Sequence, residues 1–294
     1  MSDPLLKTLS DRLARPVGDS ERKRARLHLL DWLVCVVGAR DSEAGHLGGL
    51  ISRLGWERAT YVGNALGLED VHTAASLNPA PVIWPVAMSL SSADMDARLD
   101  AGVRGYETMI AIGSAFDARH HAQWDTTSTA GVFGAAAAFG SLIGFAPVEY
   151  ANALGNAGSV AGGLLHMQHD DVLTKQWHAY HAVRTGRDAA MHVHHGATGP
   201  TGLLEGAQGL FAAMTDQPGT LAGNSDGWLI EEVEVTDTLG DPPSEADEAR
   251  ISAKMHALAK QGGVSAQDAD RAIDLSLNGY DPAAIDSMLE DWLA

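Results

Sequence analysis

The sequence is poor in cysteine and has no long hydrophobic run, and each absence excludes a class of protein. Its one cysteine, Cys35, cannot form a disulfide within the chain, which predicts a reducing compartment. No apolar stretch reaches the ~20 residues that a membrane-spanning helix needs. Residues 1–16 also lack the apolar centre of a secretory signal. We therefore expect a cytoplasmic protein that does not enter a membrane.

Basic residues and nucleotide-binding motifs are scarce as well. The chain has 20 lysines and arginines against 38 aspartates and glutamates, a formal net charge of −18. Such a surface repels phosphate backbones and anionic lipids, so neither nucleic acid nor a membrane is an expected partner. There is no P-loop, Rossmann glycine fingerprint, GxSxG elbow or CxxC pair. Chemistry without a cofactor, or no chemistry at all, is therefore favoured.

The chain does contain helix-length segments built mostly from alanine and glycine, at Ser128–Phe145 and Asn152–Leu165. Each glycine in a helix interior costs about 1 kcal/mol relative to alanine. Repeated glycines are therefore typical of buried helices whose backbones pack closely. Lys175 and His178 follow soon afterwards, and ionisable groups beside such a small-residue floor predict a pocket.

The remaining pattern is mostly helical, which predicts an all-α fold. Two short strands are expected at Ala59–Val62 and Trp228–Val235, and loops at Leu68–Pro81 and Ala118–Thr127. The apolar spacing predicts further helices at Leu5–Leu13, Glu21–Val37, Val82–Ala93, Arg98–Ala115, Val183–His195, Gly202–Met214, Ile251–Lys260, Ala266–Ser276 and Pro282–Leu293.

Two acidic positions are candidates for acid/base chemistry. Asp70 lies two residues before His72, and an aspartate near a histidine can set its tautomer and pKa. Exposed loop charges have the same pattern without any function. Asp125 precedes an alanine-rich helix, where capping of the helix is at least as good an explanation as catalysis.

Lys175 is the candidate cation. It can bind a substrate carboxylate as a point charge, or act as a base if burial lowers its pKa. A surface ion pair with Asp170 or Asp171 is the alternative.

Histidines recur three residues apart, a spacing that can place two metal ligands on one helix face. None of these pairs belongs to a recognised metal signature such as HExxH, so no metal site is predicted. Metal-dependent chemistry stays an alternative for the pairs His166 and His169, His178 and His181, and His192 and His195.

Several motifs together resemble the MmgE/PrpD family, which includes 2-methylcitrate dehydratase, cis-aconitate decarboxylase and iminodisuccinate epimerase. The resemblance spans roughly Leu5–Met214, and residues 240–259 resemble the family's C-terminal return into its helical domain. The matching motifs are GYETMIAIG (105–113), TAGVFGAAAAFGSLIG (129–144), ANALGNAGSVAGGLL (151–165), LTKQWHAYHA (173–182) and TGPTGLLEGAQGLF (198–211).

The resemblance implies a large helical domain, usually dimeric, with a smaller α/β lid and an active site between them. It implies cofactor-free abstraction of a proton next to a carboxylate of a small di- or tricarboxylate. Loss of water or carbon dioxide, or reprotonation, would follow. The expected divisions are a helical domain at 1–217, a remnant of the lid at 218–250, and C-terminal helices at 251–294 that pack back on the helical domain.

The chain departs from the family pattern in length and in its site. Most of the lid is absent, together with the lid lysine and histidine expected to bind substrate. The histidine of the family's catalytic loop is replaced by Asn78, and the first aspartate of that loop falls near Gly67. The histidine before the TAG helix is Asp125. Asp70, Lys175 and His178 match the family as they stand.

Two functions follow from the resemblance. The first is a lyase or isomerase acting on a small polycarboxylate, with Lys175 binding a carboxylate and either Asp125, or His72 with Asp70, moving the proton. Its expected substrate-binding residues are Asn78, His169 and His178. The second is a non-catalytic member that binds or regulates a full-length paralogue as a hetero-oligomer. A homodimer is the expected assembly of the first.

Overall fold

A computed structural model describes residues 4–223, 226–236 and 248–294. The α-helices of these residues are α1 Leu5–Leu13, α2 Asp19–Ala39, α3 Glu43–Ile51, α4 Gly55–Val62, α5 Ala80–Ala87, α6 Met95–Gly113, α7 Ala118–Gln123, α8 Thr126–Leu142, α9 Pro147–Gly158, α10 Thr174–His194, α11 Leu210–Met214, α12 Glu248–Gln261, α13 Ala266–Leu277 and α14 Pro282–Leu293. Short 3₁₀ helices occur at Thr73–Ala75, Leu165–His169 and Leu229–Glu232. Extended segments of the described ranges meet only in isolated bridges. The all-α prediction is therefore confirmed.

The core is built around α8, which packs against α5, α6, α9 and α10. Every residue of α8 from Thr126 to Gly140 is buried. A Cβ added to Gly186 of α10 would lie 2.4 Å from the Cβ of Ala135 in α8. The two backbones approach so closely that only glycine fits there, as the alanine- and glycine-rich composition predicts.

Both predicted strands are wrong. Ala59–Val62 is the last part of α4, where the ring centroid of Tyr61 lies 5.0 Å from that of Tyr180 in α10. Packing of α4 against α3 and α10 overrides the strand propensity of four residues. Trp228–Val235 forms a 3₁₀ helix followed by one antiparallel bridge, between Glu234 and Val71. Its apolar residues are buried against the helices instead of a sheet, since no second strand lies beside it in the described ranges.

Several helix boundaries differ from the predicted ones: α5 is Ala80–Ala87 where Val82–Ala93 was expected, and α3 was not predicted. The segment Ala118–Thr127, expected as a loop, contains α7, whose first turn is capped by the carboxylate of Asp117. The helix expected from Val183 begins at Thr174, so that it includes Lys175 and His178. Only the end of the segment expected as a helix up to Met214 is helical, as α11.

The C-terminal helices pack back on the N-terminal part of the chain: α12 and α13 contact α2, and α14 contacts α4. Buried Lys254 of α12 joins these parts. Its Nζ donates to Oδ1 of Asp31 in α2 (2.6 Å) and to the backbone oxygens of Thr236 (2.9 Å) and Leu68. Burial raises the pKa of Asp31 to about 7, although Lys254 opposes that shift.

The division into three domains stays a prediction. Residues 237–247 of the predicted lid remnant lie outside the described residues. In the described part of the chain, no helix is both long and apolar enough to cross a membrane.

Candidate functional site

The candidate site lies where the first turn of α10 meets the loop before α5 and the start of α8. Lys175 and His178 are one turn apart on α10, so their side chains lie on the same face. Nζ of Lys175 lies 3.4 Å from Oε1 of Glu69, and Nδ1 of His178 lies 3.3 Å from Oδ2 of Asp125. The side chain of Lys175 is 41% exposed and that of Glu69 only 1%. A flexible cation therefore covers a buried carboxylate.

Asp125 has two roles at once. It is the N-cap of α8, with its Oδ1 accepting a hydrogen bond from the backbone N of Thr127 (3.1 Å) while its Oδ2 faces His178. Its own backbone N donates to the carbonyl of Gly163 (2.8 Å). Gly163 has a φ of +114°, and a Cβ there would lie 2.6 Å from Oγ of Ser128. Glycine is therefore required at this contact, which holds the Asp125 carboxylate beside the imidazole.

Asn78 connects this pair to the preceding loop. Its backbone N donates to Oγ1 of Thr127 (3.0 Å), and its Nδ2 donates to the backbone oxygen of Asp70 (2.8 Å). Because Glu69 is the neighbour of Asp70, the contacts close into a circuit. We call this circuit the polar ring; it consists of Glu69, Asn78, Asp125, Thr127, Lys175 and His178.

Asp70 lies beneath the polar ring and is fully buried. Its Oδ2 accepts from Tyr106 Oη (2.6 Å) and contacts Nδ1 of His28 (2.8 Å), and its Oδ1 accepts from the backbone N of Ala80 (3.0 Å). Burial lowers the pKa of His28 and raises the pKa of Tyr106 well above its ordinary value. The neutral imidazole and the phenol can both donate to Asp70, which thereby anchors the start of the loop.

The structure does not bring Asp70 and the ring of His72 together. His72 is buried, its Nδ1 accepts from the backbone N of Ala75 (3.1 Å), and its Nε2 lies 3.5 Å from Oε2 of Glu232. It stabilises the 3₁₀ helix Thr73–Ala75 and is outside the polar ring.

Of the other predicted residues, Asn78, Asp125, Lys175 and His178 are members of the polar ring. His169 is exposed on the 3₁₀ helix before α10, where its ring centroid lies 5.6 Å from that of His166. Lys175 contacts Glu69, and the exposed Asp170 and Asp171 are not its partners in the described contacts. The predicted roles of all these residues remain predictions.

Sequence reasoning missed Glu69 and Thr127 as members of the ring, and His28 and Tyr106 as partners of Asp70. An acidic pair in a loop has no periodicity that shows which carboxylate is buried. The position of Thr127, two residues after a capping aspartate, was the available signal.

Neither a cluster of metal ligands among the described residues nor any of three cavities elsewhere in the fold belongs to this site. The described residues contain no group of three or more histidine, cysteine or acidic side chains that could hold a metal ion. Cavities of about 350, 300 and 190 Å³ are lined by residues of α3, α4, α13, α14 and nearby loops, not by the polar ring.

The model of the MmgE/PrpD N-terminal domain matches residues 59–220, which is more than half of the chain and contains the whole polar ring. The fold and this match define the chain as a helical protein of that class: it belongs to the MmgE/PrpD family.

Two curated relatives are similar to it. The chain is 28% identical over 205 residues to a cis-aconitate decarboxylase-like protein, oryM, of Aspergillus oryzae (strain ATCC 42149 / RIB 40), which covers 66% of this chain and 41% of the relative. It is 28% identical over 162 residues to the cis-aconitate decarboxylase of Aspergillus terreus, covering 51% of this chain and 32% of the relative. The chain thus spans less than half the length of either relative.

Proposed function

We propose that this protein is a cofactor-free lyase or isomerase that moves a proton next to a carboxylate of a small organic acid. The observation that carries the proposal is the polar ring, which places a lysine one helical turn from a histidine–aspartate pair. Family membership and the similarity to two cis-aconitate decarboxylase-type proteins support dehydratase- or decarboxylase-type chemistry on a small acid.

Three members of the ring carry this chemistry. Asp125 accepts the Nδ1–H of His178 and so fixes the tautomer in which Nε2 is free to take a proton from carbon. Lys175 binds the substrate carboxylate, and its ammonium stabilises the negative charge that develops when the neighbouring carbon loses its proton. The imidazolium of His178 then returns the proton to the leaving group or to the carbon.

Asn78 and Thr127 hold the other members of the ring in place and do not exchange protons. We leave Asp70 out of the proton transfer because it is fully buried and both of its oxygens already have partners. His72 is left out since its Nδ1 holds the 3₁₀ turn.

Exchange of a carbon-bound proton for deuterium tests the proposal. In D₂O, a panel of small carboxylic acids followed by proton NMR should include one whose C–H next to the carboxylate exchanges in the presence of the protein. His178→Gln should slow that exchange by about 10²–10⁴-fold because it removes the proton-transfer group. His181→Gln, an exposed histidine on the same helix, is the matched control and should leave the rate unchanged. Absence of exchange with every acid, or equal rates in wild type and His178→Gln, would contradict the proposal.

Asn78 and Asp125 stand where the family resemblance expects histidines, which supports a second candidate: a non-catalytic partner of a full-length paralogue. Co-purification with a longer protein of the family, together with no deuterium exchange, would favour it. Homodimerisation and a cytoplasmic location remain predictions.

A further inference from the structure

Two buried oxygens on or near the first turn of α10 have no hydrogen-bond partner in the described part of the protein. One is Oε2 of Glu69, whose Oε1 contacts Lys175; the other is Oε1 of Gln176, the next residue of α10. Buried polar atoms nearly always have a partner, supplied by the protein, by water or by a ligand. Both orphan atoms are acceptors, so a group that donates hydrogen bonds would satisfy them.

Lys175 currently supplies the cation for Glu69. A substrate carboxylate that binds the ammonium of Lys175 draws this cation away, which the long and 41% exposed lysine side chain permits. Glu69 then stays behind as a carboxylate that is 1% exposed and unpaired. A buried charge without a partner is strongly unfavourable, so an acid that carries only carboxylates should bind Lys175 weakly.

The charges around the ring point the same way. Glu69 and Asp125 are carboxylates, Lys175 is the cation beside Glu69, and His178 is already turned towards Asp125. Asp70 beneath them adds no cation, as its partners His28 and Tyr106 only donate hydrogen bonds. The polar ring therefore holds no spare positive group for the second carboxylate of a dicarboxylate.

We propose that the site takes an amine-bearing carboxylic acid, whose carboxylate pairs with Lys175 and whose ammonium replaces Lys175 at Glu69. This inference rests on the proposed function and specifies its substrate class. The exchange leaves every charge paired: one zwitterionic ligand supplies both the anion for the lysine and the cation for the buried glutamate. Oε2 of Glu69 gains the donor that it lacks in the free protein.

Calorimetric titration with pairs of acids that differ only in the amine tests this inference. The pairs are L-aspartate and succinate, L-glutamate and glutarate, and L-alanine and propionate. In at least one pair, the amine-bearing acid should bind wild type tenfold more tightly or better. Glu69→Gln should reduce that preference to threefold or less by weakening the amine-bearing acid. Glu290→Gln, an exposed glutamate on α14, is the matched control and should keep it.

The outcomes separate the inference from the proposed function. Equal or tighter binding of the acid without an amine overturns the inference and leaves the proposed function standing. Binding of none of the acids overturns the inference and counts against the proposed function as well. A preference that persists in folded Glu69→Gln, checked by circular dichroism, also overturns it. If that variant does not fold, the preference of wild type decides.

Discussion

At the scale of single residues, the structure separates two carboxylates that are neighbours in sequence. Asp70 has a donor for each carboxylate oxygen and lies beneath the site. In the described contacts, the Glu69 carboxylate is paired only with Lys175, whose side chain is partly exposed to solvent. An anchored carboxylate and an under-satisfied one next to it are suited to different work. We assign structural support to Asp70 and ligand recognition to Glu69.

Replacing Asp70 should therefore affect stability. In Asp70→Asn, an acceptor oxygen becomes a donor amide opposite Tyr106 and His28, and these buried groups lose their partner. We expect a loss of about 2–4 kcal/mol in the free energy of unfolding, measured by denaturant titration, because two buried donors lose their acceptor. Asp270→Asn removes a carboxylate from an exposed pair with His256 and should change stability by less than about 1 kcal/mol. Equal effects of the two substitutions would contradict the anchoring role.

At the scale of secondary-structure elements, the contact between α8 and α10 sets the geometry of the site. These two helices contribute Thr127, Lys175 and His178, and Asp125 caps the first of them. Small residues let their backbones approach, so the starts of the two helices come within side-chain reach.

Enlarging a glycine in this contact should disturb it. Gly186→Ala gains about 1 kcal/mol of helix propensity, but its Cβ would lie 2.4 Å from Ala135 Cβ and 2.5 Å from the oxygen of Val132. We expect a net loss of about 1–3 kcal/mol, because an overpacked core forces the helices apart. Gly202→Ala, where an added Cβ meets open space, is the control. A thermal unfolding midpoint of Gly186→Ala at or above that of wild type would refute the close-packing argument.

The sequence was a good guide to the elements and a partial guide to the site. Composition and spacing predicted most of the helices, although α3, α4 and α7 were missed, because helical periodicity is a local signal. They also singled out Asp125, Lys175 and His178, whereas Asn78 came only from the family resemblance. Glu69 was missed since its burial depends on distant groups: the carbonyl before it accepts from Lys254, and its own carbonyl faces the hydroxyl of Thr236. The strand predicted at Trp228–Val235 was wrong for the same reason: the alternating pattern does not show whether another strand lies beside it. In the described residues, the segment pairs with extended backbone only through the bridge between Glu234 and Val71.

At the scale of the whole molecule, the C-terminal helices are held to the helical core by a buried ion pair. Lys254 is 3% exposed and Asp31 fully buried, and the pair connects α12 to α2. The lysine also bonds the backbone just before Glu69. Helices α2 and α12 and the loop that carries Glu69 are therefore joined by one set of buried contacts.

Removing one partner of this ion pair should lower the free energy of unfolding more than removing both. Lys254→Met leaves Asp31 buried without its cation, with an expected loss of about 3–5 kcal/mol in the free energy of unfolding. The double variant with Asp31→Leu should regain most of that loss in a double-mutant cycle. Lys260→Met, exposed on the same helix, is the control. A double variant less stable than Lys254→Met alone would be inconsistent with an ion pair of this kind.

The reach of Lys254 also has a consequence for the order of folding. Its carboxylate partner is 223 residues earlier in the chain, and the loop carbonyl that it binds is 186 residues earlier. Contacts between such distant residues form late in folding, since the entropic cost of closing a long loop has to be overcome first. During synthesis, the ribosome releases Asp31, Leu68 and the first turn of α10 well before it releases Lys254. The nascent helical core therefore exists for a time without its finished site, and α12 supplies the last support.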